Sequence, residues 1–186
     1  LAIKLDLSYN VLRLMSVTLI QGAQWGDEGK GKIIDYLSQN AKFVVRFNGG
    51  NNAGHTVINK YGKFGMHLVP SGIFTKKAKA VIANGVVLDL EVLVGEIKEI
   101  EKAGVKTKNR LFISPRCHLI MPYHKILDGA LEDAKGKGKI GTTRRGIGPC
   151  YADKVSYNGI RLGDLFDKSV FWGKLKTQLL VKNKIL

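Results

Sequence analysis

The chain has 186 residues, 45% of them hydrophobic and 24% charged, a composition that supports one packed core and excludes disorder along most of its length. Lysine and arginine number 30 against 15 acidic residues, a formal charge of +15, so anionic partners are expected: nucleotides, nucleic acid or acidic lipid. Cys117 and Cys150, the two cysteines, form no CxxC and no metal-type spacing, which points to neither a disulfide framework nor a zinc site and fits a reducing cytoplasm.

The chain opens on Leu1, and residues 1–14 join no later pattern. They are expected to be a non-native leader ahead of an initiating Met15, since Lys4, Asp6 and Arg13 interrupt any signal-peptide core. No run reaches the ~20 apolar residues of a membrane span, so no membrane partner is expected. SVTLIQG (16–22) reads as a buried strand, and residues 31–39 as a helix with Ile33, Ile34 and Leu37 on one face. KFVVRF (42–47) is a second strand, followed by a hairpin turning at Tyr61 and Gly62. AVIANGVVLD (80–89) gives another buried strand, residues 91–103 a helix stopped by Gly104, RLFISP (110–115) a strand cut by proline, and residues 123–134 a helix. GKGKIGTTRRGIGP (136–149) reads as polar and flexible, and the last residues look like a helix cut short. Strands alternating with helices predict an α/β fold with a largely parallel sheet flanked by helices, P-loop NTPase-like, within one domain over 15–186 that is incomplete at its C-terminus.

Three Gly-rich loops carry the chemistry. In GAQWGDEGKGK (22–32), Gly26, four residues, Gly31 and Lys32 have the spacing of a phosphate loop, but Ile33 stands where such a loop carries a magnesium-binding hydroxyl. Gly26, Gly29 and Gly31 let backbone N–H groups approach an anion at a helix start, with Lys30 and Lys32 adding charge; the plain alternative is a turn with solvated lysines. Asp27 and Glu28 would repel phosphate unless a cation lies between, so a carboxylate here is a magnesium ligand, a proton acceptor or an ordinary helix-entry cap. GGNNAGHT (49–56) offers His55 as acid, metal ligand, hydrogen-bond donor or structural residue. GTTRRGIGP (141–149) suits a second phosphate or is a basic surface loop. His67, His118 and His124 take no role. Three such loops together indicate a large nucleotide site. The rival reading is a basic nucleic-acid-binding module, against which stands the lack of any signature with interleaved aromatics; a regulatory GTP switch is disfavoured by Ile33.

QWGDEGKGK, NNAGHT, PSGI, NGVVLD and GTTRRGIGPCYADK together resemble the adenylosuccinate synthetase family from about Met15 onward. That resemblance implies a Mg2+-dependent, cytoplasmic, homodimeric ligase of purine biosynthesis that uses GTP to join IMP and L-aspartate through a 6-phosphoryl-IMP intermediate, with neither nucleic acid nor membrane as partner. It implies Asp27 as base and His55 as acid, with Asp27 and the Gly54 carbonyl as metal ligands. GTP would contact Gly26, Asp27, Glu28, Gly29, Lys30, Gly31, Lys32, Gly54, His55 and Thr56. IMP would contact Asp27, Glu28, Gly29, Lys30, Asn52, Ala53, Gly54, His55 and Thr143. The family commonly has His and Gly where this chain has Asn51 and Arg144. Tyr157 replaces an arginine that reaches the partner subunit's IMP phosphate, a contact left to Arg145 or Arg161. Family members are more than twice this long, and the parts expected to hold guanine and aspartate lie beyond these residues, so the chain alone is expected to be inactive.

Overall fold

The computed structural model describes residues 2–5, 16–23 and 28–186. Strand β1 (Ala2–Leu5) pairs antiparallel with β2 (Val17–Ile20) in a two-stranded ribbon. Two expectations change here. Residues 2–5 do pair with a later strand, and β2 is not a buried member of the parallel sheet: Val17 is 63% exposed, and among the described residues one strand, β1, flanks β2.

Helix α1 (Lys30–Ser38) leads to β3 (Phe43–Gly49), the antiparallel hairpin β4 (His55–Asn59) and β5 (Gly62–Met66), a 3-10 turn over Ser71–Phe74, and the long β6 (Lys79–Leu88). Then come α2 (Leu90–Lys102), β7 (Leu111–Ile113), β8 (His118–Leu119), α3 (Pro122–Ala134), a 3-10 turn over Gly136–Gly138, α4 (Ile147–Val155), a 3-10 stretch over Leu162–Phe166, and α5 (Lys168–Lys182). The main sheet is parallel throughout, with β6 between β3 on one side and β7 and β8 on the other. The expected α/β fold with a parallel sheet is therefore present.

β6 organises the core because alternate residues face opposite sides. Ala80, Ile82, Val86 and Leu88 pack with Leu93 and Ile100 of α2, Phe64 and Met66 of β5, and Ile73 and Phe74. On the other side Val87 packs with Ile120 and Cys150, covered by Ile147 and Tyr151 of α4. The β3–β6 register slips between Arg46 and Asn48. Gly85 permits it, for a Cβ there would lie 2.0 Å from the Phe47 carbonyl oxygen.

Helix ends follow their chemistry. Asp89 caps α2 by accepting from the Val92 N–H, and Gly104 at φ 84 follows its end. Pro122 begins α3, where its missing N–H is not needed. Two expectations differ in the helices. Ile33 and Leu37 of α1 are exposed, and its buried residues are Gly31 and Ser38. Part of the flexible stretch expected over 136–149 is ordered, since α4 already begins at Ile147. Glu96 of α2, buried, accepts from the N–H groups of His67, Leu68 and Val69 at 2.6, 3.1 and 2.9 Å. His124 accepts the Met121 N–H on Nδ1, so its Nε2 donates to Asp153, whose other oxygen takes the Lys182 ammonium. That buried chain ties α3, α4 and α5 together.

Candidate functional site

Gly29, at φ 77 and ψ 23, turns the chain into α1 and, among the described residues, the helix start has no side-chain cap. N–H groups at such a start are an anion site. Lys30 Nζ pairs with Glu28 Oε2 at 2.6 Å, and the pair lies over Gly22, where a Cβ would come within 2.4 Å of that carboxylate oxygen. Lys32 is exposed. Gly26 and Asp27 lie outside the described residues.

Gly31 joins the first loop to the second. It is buried, and a Cβ on it would sit 2.3 Å from His55 Cδ2, so the first turn of α1 rests directly on the imidazole ring. His55 opens β4, half-buried, and its Nε2 is buried without a hydrogen-bond partner among the described residues. Burial, then the charges of Arg46 and His67, pull its pKa below the usual histidine value, which keeps the ring neutral near pH 7. Asn52, Ala53, Gly54 and Thr56 are exposed around it. Gly54 backs onto His67, whose Nε2 a Cβ there would meet at 2.7 Å.

The root of this loop is fixed from several elements. Gly49 N–H donates to the Tyr151 hydroxyl at 2.8 Å, and that hydroxyl donates to the Gly85 carbonyl at 2.8 Å. Arg46 donates to the Gly50 carbonyl at 2.7 Å, and Arg145 to the Asn51 carbonyl at 2.6 Å. Through Arg145 the third loop meets the second. Its own amides are largely committed inward: Gly141 and Thr142 donate to Glu132, and Gly146 to Asp128. What it presents outward is Thr143, exposed, and Arg144, which pairs with Asp133 at 2.7 Å from a left-handed backbone at φ 53. Tyr157 also holds a positive φ, 63, and is 94% exposed.

Arg46, Asp89 and Tyr151 were not singled out from sequence. A lone arginine inside the apolar run KFVVRF was the available signal for the first; the others act through contacts between segments far apart in the chain.

The family profile described as Adenylosuccinate synthetase matches residues 19–186. The chain belongs to the adenylosuccinate synthetase family. It is 56% identical over 173 residues to the adenylosuccinate synthetase of Clostridium botulinum, covering 92% of this chain and 40% of that protein. It is 52% identical over 172 residues to that of Acetivibrio thermocellus, with the same coverage. A solved structure of fully ligated adenylosuccinate synthetase from Plasmodium falciparum superposes with a TM-score of 0.78 at 43% identity, over 88% of this chain and 38% of that one. The chain thus spans about 40% of the length of the curated relatives it matches.

Among the described residues no three His, Cys, Asp or Glu gather as a metal cage. Magnesium in phosphate sites takes only one or two protein oxygens and fills its shell from phosphate and water. By residue type, the carboxylates of the first loop and the backbone carbonyl of Gly54 are hard oxygen donors of that kind, so this donor set fits Mg2+.

Proposed function

We propose that these residues form the phosphoryl-transfer half of a cytoplasmic, homodimeric adenylosuccinate synthetase, which in a chain of the relatives' length joins IMP and L-aspartate at the expense of GTP. The observation that carries this reading is the packing of Gly31 on His55, because it puts a phosphate-type helix start and an imidazole with an unpartnered nitrogen at one place. Family membership leaves the nucleic-acid-binding alternative without support.

On this reading the GTP γ-phosphoryl group lies at the start of α1 against Gly29 to Lys32, with Gly26, Thr56 and Gly54 beside it. IMP lies along Asn52 to His55 and Thr143. Asp27 takes the N1 proton as the 6-oxygen attacks phosphorus, and GDP leaves. The neutral His55 ring donates a hydrogen bond to the 6-oxygen, for which its lowered pKa suits it. The aspartate amine then attacks C6 and phosphate departs. Asp27 and the Gly54 carbonyl would hold Mg2+, which supplies neutralisation of phosphate charge. Tyr157 is exposed where a partner subunit could reach it, but offers a neutral phenol in place of a charged fork.

Steady-state turnover in a chain of family length tests the assignment. Asp27→Asn keeps shape and an oxygen for metal but cannot accept the proton, so turnover should fall by ~10² to 10⁴. Retention within about threefold would remove Asp27 as base. Residues 15–186 alone should yield no adenylosuccinate.

A further inference from the structure

Three of the four tethers at the root of the GGNNAGHT loop grip its backbone; the fourth grips a side chain. Asn51, 2% exposed, donates through Nδ2 to Asp89 Oδ2 at 3.2 Å. Asp89, 3% exposed, directly follows β6 and is therefore fixed to the sheet that carries β3. Its second oxygen, Oδ1, faces the Val92 N–H of α2 at 3.5 Å, and Lys125 Nζ of α3 lies 2.7 Å from the shared Oδ2. One carboxylate thus bonds a loop, a helix start and a lysine from three parts of the chain. Beyond Asn51, no side chain from another element hydrogen-bonds residues 52–54 among the described residues, and all three are exposed.

We propose that Asp89 is a positioning residue for residues 52–54, acting through the side-chain amide of Asn51. Its consequence for IMP rests on the function proposed above; its consequence for loop order does not. The pairing suits this chain in particular. An asparagine amide offers a donor of fixed direction to a carboxylate, and Lys125 neutralises the charge that would otherwise be buried beside it. The amide also leaves Asn51 Oδ1 buried without a partner, a cost accepted at a site where the backbone must hold one shape.

Substitutions separate this role from helix capping. Serine caps a helix as well as aspartate but is too short to reach Asn51. Asp89→Asn keeps one oxygen to cap Val92, and its amide N–H can donate to Asn51 Oδ1, which has no partner in the parent, once the Asn51 amide turns over. Amide order parameters of the full 186-residue chain are the primary readout, for parent, Asp89→Ser, Asp89→Asn, Asn51→Ala and the Asp89→Ser/Asn51→Ala double variant. Residues 52–54 should drop from rigid values to below about 0.6 in Asp89→Ser and in Asn51→Ala. The double variant should fall no further, and Asp89→Asn should stay near the parent, while α2 and β6 remain unchanged in all. Unchanged order at 52–54, or additive effects in the double variant, would overturn the proposal. Should Asp89→Ser fail to fold, Asn51→Ala still reports on the loop. Titration with IMP and with GTP in a chain of family length forms the second arm, with IMP weakened about tenfold in the Ser and Ala variants and GTP weakened less, since of residues 52–54 only Gly54 lies beside it. A parent that binds neither nucleotide, with the order changes intact, would overturn the assigned function and leave the positioning role standing.

Discussion

Glycine at position 31 is required by a neighbour rather than by its own backbone. Its φ is ordinary for a helix, and an alanine there would by itself favour helix formation by about 1 kcal/mol. A methyl group, however, would lie 2.3 Å from His55 Cδ2, far inside contact distance. Gly31→Ala is therefore expected to push the imidazole out of its half-buried seat, at a net cost of roughly 1 to 3 kcal/mol. As the ring gains water, its pKa should rise toward the ordinary histidine value, since burial is the first cause of its depression. Proton NMR titration of His55 in parent and variant checks this; an unmoved titration would mean that the ring is not held by that packing. The two loops were each legible as sequence, because glycines, lysines and a histidine at short spacing carry their chemistry locally. Their contact was not, since it depends on how β3 and the hairpin return the chain to α1. The same limit hid Asp89 and Tyr151, whose side chains act on an amide side chain and on backbone far away in sequence.

At the scale of elements, β-branched runs and helical spacing located β3, the hairpin, β6, α2, β7 and α3 to within a few residues. α4 escaped because Gly146, Gly148 and Pro149 read as breakers, although Pro149 lies in the first helical turn, where a missing N–H is harmless. The exposed apolar face of α1 and the unburied β2 show the converse: periodicity identifies an element without saying what will cover it. Nor did periodicity show how α2 is joined to the chain leaving β5, which is polar. Glu96 collects three consecutive N–H groups, at His67, Leu68 and Val69, in a place where its carboxylate is only 5% exposed. Removing it strands three donors at about 1 kcal/mol or more each. Glu96→Ala should thus destabilise the chain by roughly 3 to 5 kcal/mol in urea denaturation, and Glu96→Gln by less, since one acceptor oxygen remains. A loss below about 1 kcal/mol for the alanine variant would mean that water replaces the carboxylate.

For the whole molecule, alternation of strands and helices sufficed to anticipate a parallel sheet, but not its order or its coverage. Parallel sheets are ordinarily covered on both faces. Here α4 covers the Val87 end of one face, while Phe43, Val45, Phe47 and Phe112 stay 44 to 58% exposed beside it, in a chain spanning about 40% of its relatives' length. The closed parts of the fold instead enclose histidines. His124 and His118 are buried and His55 half-buried, and each is held below the ordinary histidine pKa, first by burial. For His118 the positive charges of Arg161, Lys154 and Lys174 add to this against Asp164, and the value falls to about 4. The sign follows from proton binding. Below about pH 6.5 the unfolded histidines bind protons that the folded ones refuse, so stability is complete above that pH and is lost as pH falls toward the folded values. His118 alone spans about 2.5 pH units, at most about 3 to 4 kcal/mol. Asp133, held low by Lys139 and Arg144, and Asp164, where Lys174 and the Arg161 N–H outweigh burial, add their losses only below their ordinary carboxylate range. Urea midpoints should therefore begin to fall near pH 6.5, about two units before carboxylates alone would lower them. His118→Gln should flatten the slope between pH 6.5 and 4.5. A midpoint constant from pH 8 to 5 would show that these rings titrate as they do in water.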